Sequence, residues 1–426
     1  MNAQTPISAQ TLAAWLLDAR ARTKLFVDNL NDEQLLGPRL PTVNPLLWEI
    51  GHVAWFQEKW VLRRNGGPSV RDDADSLYDS AAVAHDVRWD LPLPERAETQ
   101  SYMRGVLDRV LERLERQEDE QDVYFIQLAI FHEDMHAEAF AITRQTFGYA
   151  APLIESTPLA VPRSPDSFTD DVYIPGGTYK LGAFREEPFV FDNEKWAHPV
   201  EIAPYSISRV PITQAAFAEF VNDAGYTRQD LWSAQGWAWR CQHNAEHPVY
   251  WRRTPGGWQR RAFDRWVPLE PNCPMMHVNW HEANAWCRWA GRRLPTEAEW
   301  ELAASGMEKR RYPWGTRFPV AGQANLDARQ LECVDVARFP AGDSPFGCRQ
   351  MLGNIWEWTA DAFGPYPGFA ADPYKEYSEP WFGNHMVLRG GSWATPGRLL
   401  RNTWRNFYMP HRADMWAGFR TCALEH

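Results

Sequence analysis

The chain has 426 residues and a formal net charge of -11, with 44% hydrophobic and 23% charged residues. That length exceeds one ordinary core, so two domains are expected, and the composition is that of a globular protein. The acidic balance argues against nucleic acid and anionic membrane as partners, which need clustered positive charge, and no apolar run approaches the ~20 residues that span a bilayer.

Met1 to Gln10 is mostly polar, with no basic stretch leading into an apolar one, so no signal peptide is expected. The first helix is predicted over Ala9 to Asn29. The second opens at Asn44-Pro45, a capping residue followed by proline at the first helical position, and runs through His52 to about Arg64. Asn65 to Pro94 reads as a long loop, and such loops in compact bundles are usually functional. Glu95 to Gln117 is the third helix, with Met103, Val106, Leu107, Val110, Leu111 and Leu114 as its apolar stripe. The acidic run Glu118-Asp119-Glu120 reads as a solvated turn. Asp122 to Phe147 is the fourth helix, ended by Gly148. Four such helices suggest a bundle, and facing helices of bundles build metal sites.

The fourth helix carries Phe131-His132-Glu133-Asp134-Met135-His136. Residues four apart on a helix share one face, so the two imidazoles can grip one ion. His52, on the second helix, is the third candidate. Three neutral imidazoles with coordination positions left open make a catalytic rather than a structural site. The alternatives are ordinary core or surface histidines, or zinc or nickel in the same place.

Pro152 to Asp170 is rich in Pro and Ser and reads as a linker, giving domains at 1–151 and 171–426. Beyond it, Gly, Pro and Trp punctuate short strands. One clear helix is expected at His281 to Trp289, and a second opens within Arg293 to Glu301. The six cysteines form no C-x-x-C pair and read as free, mostly buried thiols of a reducing cytoplasm. Most of the 23 tryptophans should be core.

Several motifs of the second half occur together: Ile174-Pro175-Gly176-Gly177, Val278-Asn279-Trp280, Arg293-Leu294-Pro295-Thr296-Glu297-Ala298-Glu299-Trp300-Glu301, Tyr312-Pro313-Trp314-Gly315, Gly353-Asn354-Ile355-Trp356-Glu357-Trp358, Leu388-Arg389-Gly390-Gly391-Ser392-Trp393 and Ala417-Gly418-Phe419-Arg420. This set resembles the formylglycine-generating-enzyme fold, itself similar to a C-type lectin. The first half resembles the DinB helical bundle. Their fusion, with three metal-spaced histidines, resembles the EgtB-type non-haem iron synthases. The fold implied is α+β, a DinB-like four-helix bundle followed by the lectin-like domain. True formylglycine-generating enzymes carry a reactive cysteine pair after the Gly-Gly-Ser segment. Thr395 and Leu400 stand thereabouts here, so their chemistry is not expected.

The resemblance implies small-molecule substrates and an Fe(2+) cofactor held by His52, His132 and His136. Family members join a sulfur donor to the imidazole C2 of hercynine with O2. A related branch, the selenoneine synthases (SenA), joins selenium from a selenosugar. Tyr374 matches the family's proton-donating tyrosine, with Tyr377 a close second. Asn406 and Phe407 match its hercynine contacts. On the donor side, actinobacterial EgtB enzymes present two arginines where this chain has His85 and Arg88, and an acid where it has Tyr408. Losing a cation and a carboxylate favours a neutral sugar over γ-glutamylcysteine. The expected activity is therefore C–Se bond formation in selenoneine biosynthesis. Ergothioneine-type C–S sulfoxide synthesis, and a non-catalytic lectin-like binding protein, are the alternatives.

Overall fold

The computed structural model describes residues 7–116, 121–154 and 170–424. The acidic run at 118–120 and most of the Pro/Ser-rich segment lie outside the described residues. The chain falls into two compact units, Met1–Ile154 and Glu155–His426.

The first unit is helical: α1 (Ala9–Val27), α2 (Asp32–Leu36), α3 (Leu46–Gln57), α4 (Ala74–Tyr78), α5 (Arg96–Arg116) and α6 (Asp122–Phe147). Ser8 caps α1 through Thr11 N–H at 3.1 Å. Gly148 ends α6 in the left-handed conformation at φ 67°, where a side chain would be strained. On α5, Met103, Val106, Leu107, Val110 and Leu114 are buried as the stripe requires, with Leu111 at its edge. The second helix differs from expectation. Pro45 takes the capping position without a side-chain bond, and Asn44 turns its Oδ1 to Arg88 instead, at 2.7 Å. α3 is then prolonged by one wide π turn, Glu58–Leu62, a feature found often near functional sites. The long loop is ordered by α4 and a 3₁₀ turn at His85–Val87.

The second unit carries short strands in four sheets. They are β1 (Asp171–Ile174), β2 (Gly177–Leu181), β3 (His198–Ile202), β4 (Tyr205–Ser208), β5 (Trp251–Thr254), β6 (Gly257–Ala262), β7 (Arg265–Pro268), β8 (Arg292–Arg293), β9 (Trp356–Ala362), β10 (Met386–Arg389), β11 (Asn406–Tyr408), β12 (Ala417–Gly418) and β13 (Cys422–Ala423). The sheet orders are β1-β4-β13-β8, β11-β10-β9-β12, β2-β3 and β5-β6-β7. The two expected helices are present as α9 (Trp280–Trp289) and α10 (Glu297–Ser305), each opened by a reciprocal capping box, Asn279 with Glu282 and Thr296 with Glu299. Two further nine-residue helices, α7 (Gln214–Asn222) and α8 (Ala234–Gln242), escaped the sequence reading. Their caps, Thr213 and Ser233, were the available signal.

Four of the motifs that carried the resemblance supply buried charges of this unit, Glu297 and Glu301, Glu357, Arg389 and Arg420. Arg389 joins Glu297 at 2.8 Å and Glu301 at 2.5 Å, and Arg405 joins Glu297 at 2.6 Å. Arg420 meets Glu357 at 2.6 Å, and the Trp300 indole donates to the same carboxylate at 2.7 Å. A buried charge without its partner is costly, so these positions tolerate little change. Trp300, Trp356, Trp358 and Trp393 are buried, as expected of core. All six cysteines are free thiols, with Cys241 exposed and the rest buried.

Candidate metal centre

α3 and α6 bring His52, His132 and His136 together. One ligand atom from each lies within 4.8 Å of the others. Nitrogens on one ion stand roughly 3–3.5 Å apart for bonds of ~2.1 Å, so small ring rotations suffice to close the set. The i, i+4 spacing sets the His132 and His136 rings side by side, centroids 4.5 Å apart and planes inclined at 54°, and His52 faces both edge-on from α3 at 5.0 Å. His132 is clamped against Phe56, centroids 3.6 Å apart and planes within 5°.

Two of the rings are aimed by bonds at their far nitrogens. His52 Nδ1 lies 2.8 Å from the Tyr78 carbonyl, and His136 Nδ1 lies 2.5 Å from Glu49 Oε1. Each leaves Nε2 to face the cluster, the arrangement that fixes tautomer and direction in metal-binding histidines. Burial first, and then the nearby His136, holds His52 and His132 well below the ordinary imidazole value. Both are therefore neutral at pH 7, with lone pairs available. Glu49 is 1% exposed, and its Oε2 has no partner among the described residues. A cation held by the three imidazoles would compensate a carboxylate oxygen left unpartnered and buried beside them, so the donor set fits a metal. The cluster opens at His136, whose side chain is 18% exposed against 3% for each of the other two residues.

Sequence reasoning named the three imidazoles and missed their supports: Glu49, Trp48, Phe56 and the Tyr78 carbonyl. Glu49 precedes His52 by three positions and so shares its face of α3, a readable signal. Tyr78 comes from the long loop and has none. Gly51 explains how α4 approaches. A Cβ there would lie 2.3 Å from the Tyr78 ring. Gly51→Ala is expected to displace Tyr78, cost about 1–3 kcal/mol by overpacking, and weaken metal binding about tenfold through the loosened His52. Denaturant unfolding and an iron(II) titration check both.

The donor-side candidates of the first unit sit on the long loop. His85 is half-buried, with Nε2 2.7 Å from the Val43 carbonyl. Arg88 is buried and bonded inward, so it is not the surface partner of Asp86 or Asp90. In the second unit, β11 carries Asn406, Phe407 and Tyr408, paired with Leu388, Val387 and Met386 of β10. Phe407 stacks on Phe363 at 3.9 Å, with Tyr377 at 5.8 Å and His385 at 6.0 Å. The Tyr408 ring lies under Arg412 at 5.3 Å. Tyr374 is half-buried, its ring 6.1 Å from that of Tyr377. Tyr377 accepts from the Trp404 indole at 3.3 Å, and burial raises its phenol well above the ordinary value. Thr395 and Leu400, at the places of the missing cysteines, are buried.

Residues 16–140 match the DinB superfamily, and residues 157–424 match the sulfatase-modifying factor enzyme 1-like domain. The chain is 37% identical to a hercynine oxygenase of Mycolicibacterium thermoresistibile, over 96% of this chain and 94% of that protein. It is equally identical to the hercynine oxygenase of Mycobacterium tuberculosis, over 97% of this chain and 98% of that one. The formylglycine-generating enzyme of Streptomyces coelicolor is 32% identical, over 56% of this chain and 82% of that protein. Among the described residues, no helix is long and apolar enough to cross a membrane. Similarity over almost the full length of the first two relatives, together with a helical and a sheet-rich unit each matching its family, makes this chain a member of the hercynine-oxygenase family of oxidoreductases, the EgtB-type fusion of a DinB bundle with a sulfatase-modifying-factor-like domain.

Proposed function

We propose that the chain is an iron(II)- and O2-dependent enzyme that joins a chalcogen to the imidazole C2 of hercynine, with a selenosugar as donor. The observation that carries this is the buried triple of His52, His132 and His136 in a chain of this family. Three histidines leave three positions of an octahedron free, enough to bring O2, donor and imidazole together. What a bound iron(II) supplies is O2 activation beside the two substrates.

The other assignments follow from the same reading. Asn406 and Phe407 contact hercynine, whose fixed trimethylammonium offers no ordinary hydrogen bond and calls for aromatic faces and acceptor oxygens. Tyr374 gives a proton to reduced oxygen. His85 and Tyr408 stand at the donor, and both suit hydroxyls better than carboxylates. Replacing C–H and Se–H by C–Se releases two electrons, while O2 takes four. With no external reductant the remaining pair comes from the chalcogen, so the immediate product is its oxide. The cysteines, free throughout, fit a cytoplasmic setting.

The sulfur alternative rests on the 37% identity to named hercynine oxygenases. One assay separates the two. Protein loaded anaerobically with iron(II) is given hercynine, O2 and either a selenosugar or γ-glutamylcysteine, and products are followed by mass. Conversion of the selenosugar is expected. Conversion of the peptide alone rejects the selenium reading.

A further inference from the structure

The long loop of the first unit does more than connect α3 to α5. Arg88 donates from Nη1 to Asn44 Oδ1 at 2.7 Å, and from Nη2 to the Val83 carbonyl at 3.1 Å and the Ser80 carbonyl at 3.5 Å. Its guanidinium lies over the Trp48 ring, 3.9 Å from the centroid. That ring stacks on His52, centroids 4.8 Å apart and planes within 11°. The Trp48 indole N–H donates to the Leu77 carbonyl at 2.6 Å, one residue before the carbonyl that holds His52 Nδ1. The last two residues of α4 thus receive Trp48 and His52 in succession, using carbonyls that a helix end leaves unpaired.

We infer that Arg88 is a positioning residue for His52, acting through the Trp48 ring, and not a clamp for a carboxylate of the donor. The inference rests on reading the three histidines as an iron site. A bidentate carboxylate clamp needs two parallel N–H groups free to face the ligand. Here both terminal nitrogens already donate to protein oxygens, and the remaining nitrogen, Nε, is buried without a partner among the described residues and shielded from any ligand. A planar guanidinium is suited to hold several fixed acceptors while stacking on an aromatic face, and lysine cannot do both. Burial lowers Arg88 only to about 10, so it is charged at neutral pH and keeps this geometry.

The test compares wild type, Arg88→Lys and Asn44→Ala. Lysine keeps the charge, so its effect on the metal reports geometry. Asn44→Ala removes one anchor of the guanidinium and leaves the charge and rings in place. Iron(II) affinity is measured by chelator competition, cobalt(II) absorption reports the ligand field, and KM is measured for whichever donor turns over. Far-UV circular dichroism of the metal-free proteins controls for folding. The expected result is roughly tenfold weaker iron(II) binding in Arg88→Lys, an altered cobalt(II) band envelope, a smaller loss in Asn44→Ala, and a donor KM within about twofold of wild type. Iron affinity and cobalt spectrum unchanged in both variants, or a large rise in donor KM alone, overturns the inference. Should wild type bind no iron(II), or bind it equally well as His52→Ala, the metal reading itself fails instead.

Discussion

His132→Ala is expected to abolish both iron binding and turnover while the second unit stays folded. The loss in affinity should exceed the ~10–100-fold that removing a mere outer partner costs, because a ligand atom disappears. The fold should survive. His132 is buried against Phe56, and truncation there leaves a cavity worth about 1–3 kcal/mol, within the 5–15 kcal/mol that domains typically hold. Thermal unfolding gives the cleaner readout. A ligand at 100 times its dissociation constant stabilises by about 2.7 kcal/mol, so iron(II) should raise the melting temperature of wild type and leave that of the variant unchanged. Full iron occupancy in the variant would remove His132 from the ligand set.

The second large effect is one of stability. Glu133, adjacent to His132, is fully buried and receives Arg20 Nε at 2.8 Å, the Thr23 hydroxyl at 2.9 Å and Gln57 Nε2 at 2.6 Å. This carboxylate ties α1, α3 and α6 together behind the histidines. Glu133→Ala leaves the Arg20 guanidinium buried without its counter-charge, which costs about 3–5 kcal/mol. Most of the first unit's stability should go, and iron affinity with it. The double variant Glu133→Leu/Arg20→Met replaces the pair by apolar side chains and should recover much of the loss. Urea unfolding compares the three proteins. A single variant as stable as wild type would show that the pair carries no weight.

What the sequence disclosed depended on the range of the interaction. α6 was legible to its ends, because its apolar spacing and Gly148 act locally, and so was the His132–His136 pair. The supports of the site were not. Tyr78 reaches His52 across a loop whose length hides its order, and Asn44, a good cap by type, serves Arg88 instead. In the second half, α7 and α8 span only nine residues each, too few turns for periodicity to announce them. The motif string there was read as a signature of kinship. Its physical content, arginines paired with glutamates far along the chain, needed coordinates.

The cysteines have a consequence for the chemistry proposed. Activated chalcogens are electrophiles that any accessible thiolate will intercept. Burial raises Cys348 to about 11 and pushes Cys287 and Cys422 higher still, while a hydrogen bond with Cys333, aided by burial, raises Cys273. Such groups are poor bystander nucleophiles. Cys241 on α8 is the exposed exception, which leaves the molecule one place where stray selenenylation or sulfenylation can leave a scar, and one natural handle for a probe.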